Sequence, residues 1–235
     1  MRLTTWNCRV GAFRRKAAYA ASLTPDVLVV PECEDIRQLL LLDGATQPTT
    51  RLWFNGRATS RGVGVFSYSG ATISLAPRLG EPIDFFVPLL VQVKGRDLQV
   101  VAVWTAETSS SKTRYRQAHE GLDRYAEWIA ANDTVLMGDF NNNAGVGNGK
   151  FWADLAKRLE PLGLVSAYHQ FFNESFGAET RPTHFFKGKQ ASPFHLDYIF
   201  VPVGWISRVT NVEVGTYESW SKHSDHVPVT VDLRL

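Results

Sequence analysis

Two stretches decide how this chain reads: Thr134-Val135-Leu136-Met137-Gly138-Asp139-Phe140-Asn141 and Ser224-Asp225-His226-Val227-Pro228-Val229-Thr230-Val231. In the first, an apolar run with β-strand character ends in Gly-Asp-x-Asn. In the second, Ser-Asp-His opens such a run. Strands that end and begin this way set carboxylate oxygens, an amide oxygen and an imidazole at sheet edges. Hard divalent cations bind oxygens of that kind. A histidine beside them can contact a phosphoryl oxygen or shuttle a proton. The pair points to metal-assisted attack of water on a phosphate ester.

Working outward, β-rich apolar runs recur from Leu3 to Trp6, Val27 to Val30, Gly62 to Tyr68, Phe85 to Val93, Leu98 to Trp104, Leu196 to Val201, Val209 to Val214 and Val227 to Leu233. The runs at 85–93 and 98–104 flank Lys94-Gly95-Arg96-Asp97, which predicts a hairpin with a glycine-containing turn. Helical periodicity marks Arg14 to Leu23, which stops at Thr24-Pro25 because a residue before proline disfavours helix. It also marks Glu34 to Leu42, and Lys112 to Ala131 with Leu122, Tyr125, Ala126 and Ile129 on one face. A shorter helix is predicted from Phe151 to Leu159. Strands and helices mix without strict βαβ alternation, so two sheets covered by helices fit better than one doubly wound sheet. No repeat or linker divides the chain, and residues 1–235 read as one domain.

Bulk properties set limits. The 235 residues are 44% hydrophobic and 20% charged, an ordinary globular balance. The 7 Trp, 7 Tyr and 14 Phe supply a sizeable core. A formal charge of +2 neither demands nor excludes a polyanionic partner, since a local basic patch suffices. No apolar stretch approaches the ~20 residues needed to span a bilayer, and Met1 to Trp6 lacks the apolar core of a signal peptide. The expectation is a cytoplasmic monomer without a membrane partner. Cys8 and Cys33 read as two buried thiols, with a disulfide open only if their strands are neighbours.

Each candidate site residue has an ordinary reading when taken alone. Asn7 ends the first strand and could be a turn residue. Glu32 follows Val27-Leu28-Val29-Val30-Pro31 and could serve a helix N-terminus. Asp139 and Asn141 could form an Asx turn, and His226 could be an ordinary surface residue. Asp197 sits within the apolar run His195-Leu196-Asp197-Tyr198-Ile199-Phe200-Val201, where a carboxylate is costly unless paired. It is either a structural ion pair or an aspartate that orients a catalytic histidine. Carboxylates, amides and one imidazole, all at strand ends, together favour the functional reading.

The set Thr5-Trp6-Asn7, Val30-Pro31-Glu32, Gly62-Val63-Gly64-Val65-Phe66, Gly138-Asp139-Phe140-Asn141, Leu196-Asp197-Tyr198-Ile199-Phe200 and Ser224-Asp225-His226 resembles the endonuclease/exonuclease/phosphatase superfamily. That group holds exonuclease III, apurinic endonucleases, pancreatic DNase, inositol polyphosphate 5-phosphatases and neutral sphingomyelinases. The resemblance implies a four-layer α/β sandwich, two mixed sheets packed face to face and flanked by helices, with the site at one rim. It implies Glu32 as the principal ligand of Mg²⁺ or Mn²⁺, supported by Asn7 and Asp225. It implies Asp139 acting on the attacking water, Asn141 holding phosphate or that water, and His226 on the scissile phosphate with Asp197 fixing its ring. Arg9 departs from the pattern, standing where apurinic endonucleases carry Asn or Asp. Ala106 falls near the position of a second histidine in DNase-like members. Trp104 stands in the region where exonuclease III-like members place a tyrosine.

On the substrate side, Arg57 and Arg61 lie in a polar loop, and Lys112, Arg114 and Arg116 cluster before the long helix. Such groups can track a phosphate backbone. Thr183 is a candidate phosphate contact, and Trp104 a stacking surface. The leading expectation is a metal-dependent nuclease acting on DNA or RNA. A phosphomonoesterase or lipid-headgroup phosphodiesterase (inositol phosphate or sphingomyelin type) stays open, because folds of this kind host several chemistries. A binding module that lost its chemistry is disfavoured by the intact Glu32, Asp139, Asn141, Asp197 and His226 set.

Overall fold

The structure, a computed structural model, describes residues 1–36, 46–55, 60–77, 79, 83–106, 114–145 and 149–234. In chain order its elements begin with β1 (Arg2–Thr5), α1 (Ala17–Ser22), β2 (Val27–Cys33), β3 (Thr50–Asn55), β4 (Gly62–Ser67), β5 (Thr72–Leu75), β6 (Phe86–Val93) and β7 (Arg96–Trp104). There follow α2 (Arg114–Ala130), β8 (Thr134–Asp139), α3 (Lys150–Leu159), β9 (Leu164–Ser166) and α4 (Ala167–Phe172). The chain closes with β10 (His184–Phe185), β11 (Pro193–Phe194), β12 (Asp197–Pro202), β13 (Val209–Val214), α5 (Tyr217–Trp220) and β14 (Val229–Leu233).

One sheet has the order β13-β14-β1-β2-β4-β3 and the other β5-β6-β7-β8-β12-β9, with β10 and β11 forming a separate hairpin. The pairs β1/β2 and β7/β8 are parallel and the other pairs antiparallel. Both sheets are therefore mixed.

The period of two along each strand sorts side chains into layers. Val27 and Val29 of β2, Val100 and Ala102 of β7, Val135 and Met137 of β8, and Ile199 and Val201 of β12 share the core between the sheets. Their alternates face outward. Val101, Val103, Leu136, Tyr198 and Phe200 pack under Leu122, Tyr125 and Ile129 of α2 and Trp152, Leu155 and Leu159 of α3. On the far side, Leu28, Val30 and Phe66 meet Trp6, Phe13 and Ala20. Helix, sheet, sheet and helix make the expected four-layer sandwich. Cys8 and Cys33 are free and buried.

The same parity fixes where the polar residues go. Continuing Val135 and Met137 by two residues turns Asp139 toward the gap between the sheets. Stepping back from Ile199 does the same for Asp197. The antiparallel register of β8 and β12 then makes Asp139 and Asp197 direct neighbours at the rim.

Several boundaries differ from the sequence reading. The first helix is split into a 3₁₀ turn, Phe13–Arg15, and α1. In the predicted hairpin, Val93 pairs with Arg96, leaving only Lys94 and Gly95 in the loop, both at positive φ (51° and 74°). That is the type I′ geometry whose twist matches the flanking strands. Strands β3, β5, β9, β10 and β11 carry too few apolar residues, or are too short, to show by period. Most of the helix predicted from Glu34 to Leu42, and Arg57 and Lys112, lie outside the described residues.

Gly138 is demanded by close approach. Its φ is +147°, and a Cβ built there would lie 1.9 Å from the Val103 carbonyl oxygen. We expect Gly138→Ala to cost at least ~3 kcal/mol in urea unfolding, since backbone must shift at the rim. Gly95→Ala, at φ +74° with open space around it, should cost only about 1–2 kcal/mol. Equal losses would show that close approach to β7 is not the constraint at Gly138.

Candidate active site

A cavity of about 500 Å³ opens at the sheet rim, and Glu32, Asp139, Asn141, Asp225 and His226 all line it. Three separate segments deliver these groups: the end of β2, the end of β8 with the turn after it, and the approach to β14. At the β2 end the register with β4 shifts between Val30 and Cys33, and Glu32 takes φ +57°. A bulge of this kind re-aims a side chain. Asn141 also sits at positive φ (46°), so its backbone N–H donates to Asp139 Oδ1 at 2.8 Å. Its side-chain amide donates to Asp139 Oδ2 and to the Thr105 carbonyl, each at 2.9 Å.

Asp197 and His226 form the expected unit. His226 Nδ1 donates to Asp197 Oδ2 at 2.8 Å, and both side chains are nearly or fully buried. The approach to β14 is clamped to the end of β1. Ser224 Oγ donates to the Asn7 carbonyl (2.8 Å) and accepts from the His226 N–H (3.1 Å), while Trp6 Nε1 donates to the His226 carbonyl (3.0 Å).

Burial pushes the Asp139 carboxyl up to about 7, and the neighbouring Asp197 charge adds to the rise; the His226 charge and hydrogen bonds from Asn7 and Asn141 oppose it. For His226 the largest effect, burial, lowers proton affinity, but the charge and hydrogen bond of Asp197 outweigh it and raise the imidazole to about 9. The site thus keeps an imidazolium beside a carboxyl that titrates near neutrality.

Other residues land where sequence reasoning did not place them. Asn7 turns its amide nitrogen toward Asp139 Oδ2 (2.9 Å) and Glu32 Oε1 (3.4 Å), while its oxygen accepts from Arg9 N (2.9 Å). It spaces the carboxylates in this arrangement instead of offering them an oxygen beside a cation. Thr183 is fully buried, and its hydroxyl accepts from the backbone N–H groups of Leu196 (2.9 Å) and Asp197 (3.0 Å). It fixes the start of β12 and does not reach the cavity. Trp104 is 5% exposed and packs on Phe85 at 4.5 Å between ring centroids, because its inward parity sinks it between the sheets. No base can stack on it there. Arg61 does line the cavity. Arg116 is an exposed residue paired with Glu120.

The reading missed the aromatic wall. His184, Phe186, Phe194, Leu196 and Tyr115 line the cavity. The alternation is legible afterwards: Thr183 and Phe185 turn inward and are buried, whereas His184 and Phe186 face the cavity. The His184 ring centroid is 4.4 Å from that of His226. Tyr115 stacks on Phe151 at 4.1 Å between centroids.

The donor set fits a hard divalent cation. Glu32, Asp139 and Asp225 offer carboxylate oxygens in one cavity, the chemistry Mg²⁺ and Mn²⁺ prefer. Ligand atoms of Asp139, Asp197 and His226 also lie within 4.8 Å of one another. Among the described residues, Asp197 Oδ1 is buried without a hydrogen-bond partner.

Two mixed six-stranded sheets with a carboxylate–imidazole rim define the class of fold. The model of the Endonuclease/Exonuclease/phosphatase family matches residues 4–226, and the chain belongs to that family. Among solved structures, the chain is similar to AP endonuclease LMAP from Leishmania major, with a TM-score of 0.74 at 13% identity, covering 100% of this chain and 87% of that one. It is also similar to the 3′ phosphatase NExo from Neisseria bound to product DNA hairpin, with a TM-score of 0.66 at 18% identity over 100% of both chains. The endonuclease domain of TRAS1, a telomere-specific non-LTR retrotransposon, matches with a TM-score of 0.69 at 16% identity, covering 100% of this chain and 98% of that one. No curated protein matches the chain. Among the described residues, no helix is long and apolar enough to cross a membrane.

The His226 shift carries a sign. Its folded value near 9 lies above the unfolded value near 6.5, so the native state holds its proton more tightly. This stabilisation is complete below pH ~6.5 and is lost as pH rises through about 9. We expect the His226 imidazole to stay doubly protonated to about pH 9 by nitrogen NMR. In Asp197→Asn, with burial left largely uncompensated, the imidazole should titrate below 6.5. An unchanged titration in that variant would rule out Asp197 as the cause.

Proposed function

We propose that this protein is a divalent-cation-dependent phosphodiesterase, a nuclease that hydrolyses phosphodiester bonds of DNA or RNA as a monomer. The observation that carries this reading is the juxtaposition, at one open rim, of Asp139 with Asn141 on one side and the Asp197–His226 pair on the other.

The roles follow from the geometry. Asp139 faces the cavity with a proton affinity matched to neutral pH, which suits a group that takes a proton from attacking water. Asn141 holds that carboxylate by two hydrogen bonds and so orients it. His226, kept cationic by Asp197, is placed to donate to a phosphoryl oxygen as negative charge builds there. Glu32 and Asp225 would hold Mg²⁺ or Mn²⁺, and Asn7 would fix the spacing of Glu32 and Asp139. The cation, when bound, supplies charge neutralisation at the phosphate and makes coordinated water more acidic.

The substrate assignment rests on the shape and lining of the cavity. It is open to solvent, carries Arg9 and Arg61 for phosphates, and has aromatic side chains of Tyr115, Phe186 and Phe194 for nucleobases or sugars. Of the similar structures, one is a 3′ phosphatase bound to product DNA hairpin and one is an AP endonuclease by their own descriptions.

The test is cleavage of labelled single- and double-stranded DNA and RNA, with inositol phosphates, a 3′-phosphorylated oligonucleotide and sphingomyelin beside them. Oligonucleotide cleavage should require Mg²⁺ or Mn²⁺, stop in EDTA and weaken steeply with salt as phosphate contacts release counterions. Turnover of a headgroup substrate without oligonucleotide cleavage would overturn the nuclease assignment. Asp139→Asn and His226→Ala should each lower kcat by at least ~100-fold. A folded variant with near-normal turnover would remove that residue from the chemistry.

A further inference from the structure

Both carboxylates that would hold the cation are already engaged by arginines. Arg9 Nε lies 3.3 Å from Asp225 Oδ2, and Arg61 Nη1 pairs with Glu32 Oε2. The two guanidinium groups arrive from different segments, the loop after β1 and the residue before β4. Both line the same cavity as Asp139, Asn141 and His226. The loop carrying Arg9 runs through three consecutive positive φ values, 55° at Arg9, 60° at Val10 and 67° at Gly11. For a β-branched valine that conformation is strained. It is held by hydrogen bonds to the same groups: Arg9 N to Asn7 Oδ1 (2.9 Å) and Val10 N to Glu32 Oε2 (2.8 Å).

Resting on the phosphoesterase reading above, the geometry points to Arg9 and Arg61 as an ionic lock that couples cation binding to phosphate binding. A divalent cation at Glu32 and Asp225 competes with two fixed positive charges for the same oxygens. A guanidinium cannot lose its charge by titration at working pH. It gives up a carboxylate only by moving to another anion, and its planar fork fits phosphate as well as it fits carboxylate. The two side chains are 46% and 39% exposed, so a phosphate entering the cavity meets both guanidinium groups. The incoming phosphate thus draws both arginines off Glu32 and Asp225, and the freed carboxylates accept the cation. Phosphate then raises cation affinity, and by reciprocity the cation raises phosphate affinity by the same factor. Part-exposed ion pairs are individually weak, so a phosphate displaces them readily; together they should lower cation affinity about 10-fold. Such coupling would keep the cation site closed until a phosphate ester is in place.

The experiment is a binding titration with no substrate turnover. Mn²⁺ is titrated into the full chain by calorimetry and by Mn²⁺ paramagnetic resonance, with and without inorganic phosphate, using phosphate alone as the blank. Wild type, Arg9→Gln, Arg61→Gln and the double variant are compared after melting temperatures confirm that each is folded. Wild type should bind Mn²⁺ about 10-fold more tightly with phosphate present. The double variant should bind Mn²⁺ without phosphate about as tightly as wild type does with it, and phosphate should add little. Variants that bind no tighter than wild type, or a phosphate effect that survives in the double variant, would overturn the lock while leaving the metal-dependent reading intact. A wild type that binds no Mn²⁺ with or without phosphate, while Glu32→Gln is indistinguishable from it, would reject both.

Discussion

The site depends on one register: Asp139 of β8 set beside Asp197 of β12 in antiparallel pairing at the inner edge of a sheet. Two carboxylates buried as neighbours repel, and each pays for desolvation. The arrangement persists because the cost falls on groups that can absorb it. Asp139 takes hydrogen bonds from Asn7 and from the backbone and side chain of Asn141. Asp197 faces the His226 imidazole. One carboxyl titrates near neutrality and the imidazole stays charged past it, so opposed environments separate two titrations within one buried cluster.

That register rests on ordinary packing. Val135, Met137, Ile199 and Val201 fill the space between the sheets, and a slip of either strand by one residue would turn its two away from the core. The hydrophobic core therefore enforces the geometry of the rim. Close approach at Gly138 leaves the β8 backbone little room beside Val103, and Thr183 ties the first N–H groups of β12. Departures from regular backbone are found where the site needs them: Glu32 at a bulge, Asn141 at the turn, and the left-handed run at Arg9, Val10 and Gly11. Strain of this kind persists only where surrounding contacts over-determine it.

The electrostatics of the rim are divided by depth. His226 is the buried cation and is held by a buried aspartate. Arg9 and Arg61 are half-exposed and hold the carboxylates nearer solvent. The buried pair is screened little by water and stays fixed, whereas the outer pairs can exchange partners. The cavity between them is walled by the aromatic side chains of Tyr115, Phe186 and Phe194 and carries both guanidinium groups.

How much of this the sequence carried follows from the range of each signal. Strand and helix patterns are local, so two sheets covered by helices were legible, and so was the choice of polar residues at strand ends; the four layers came from the family resemblance. Asp197 within an apolar run required a partner on energetic grounds alone, and His226 is that partner. Depth and direction at the rim were not legible, because they depend on which segments arrive there. Trp104 and Thr183 read as substrate contacts, yet the opposing sheet buries the first and the start of β12 occupies the second. Asn7 read as an oxygen donor, but Arg9 takes its oxygen and its nitrogen faces the carboxylates. His184 lies in a strand two residues long and Phe186 in the 3₁₀ turn after it, with no period to reveal either. The sequence by itself determined the strands, most helices and the chemical inventory, since these follow from local pattern and desolvation cost. Only the tertiary structure decided which inventory members share the cavity and which arginines sit on Glu32 and Asp225, because those pairings join residues tens to hundreds of positions apart in the chain.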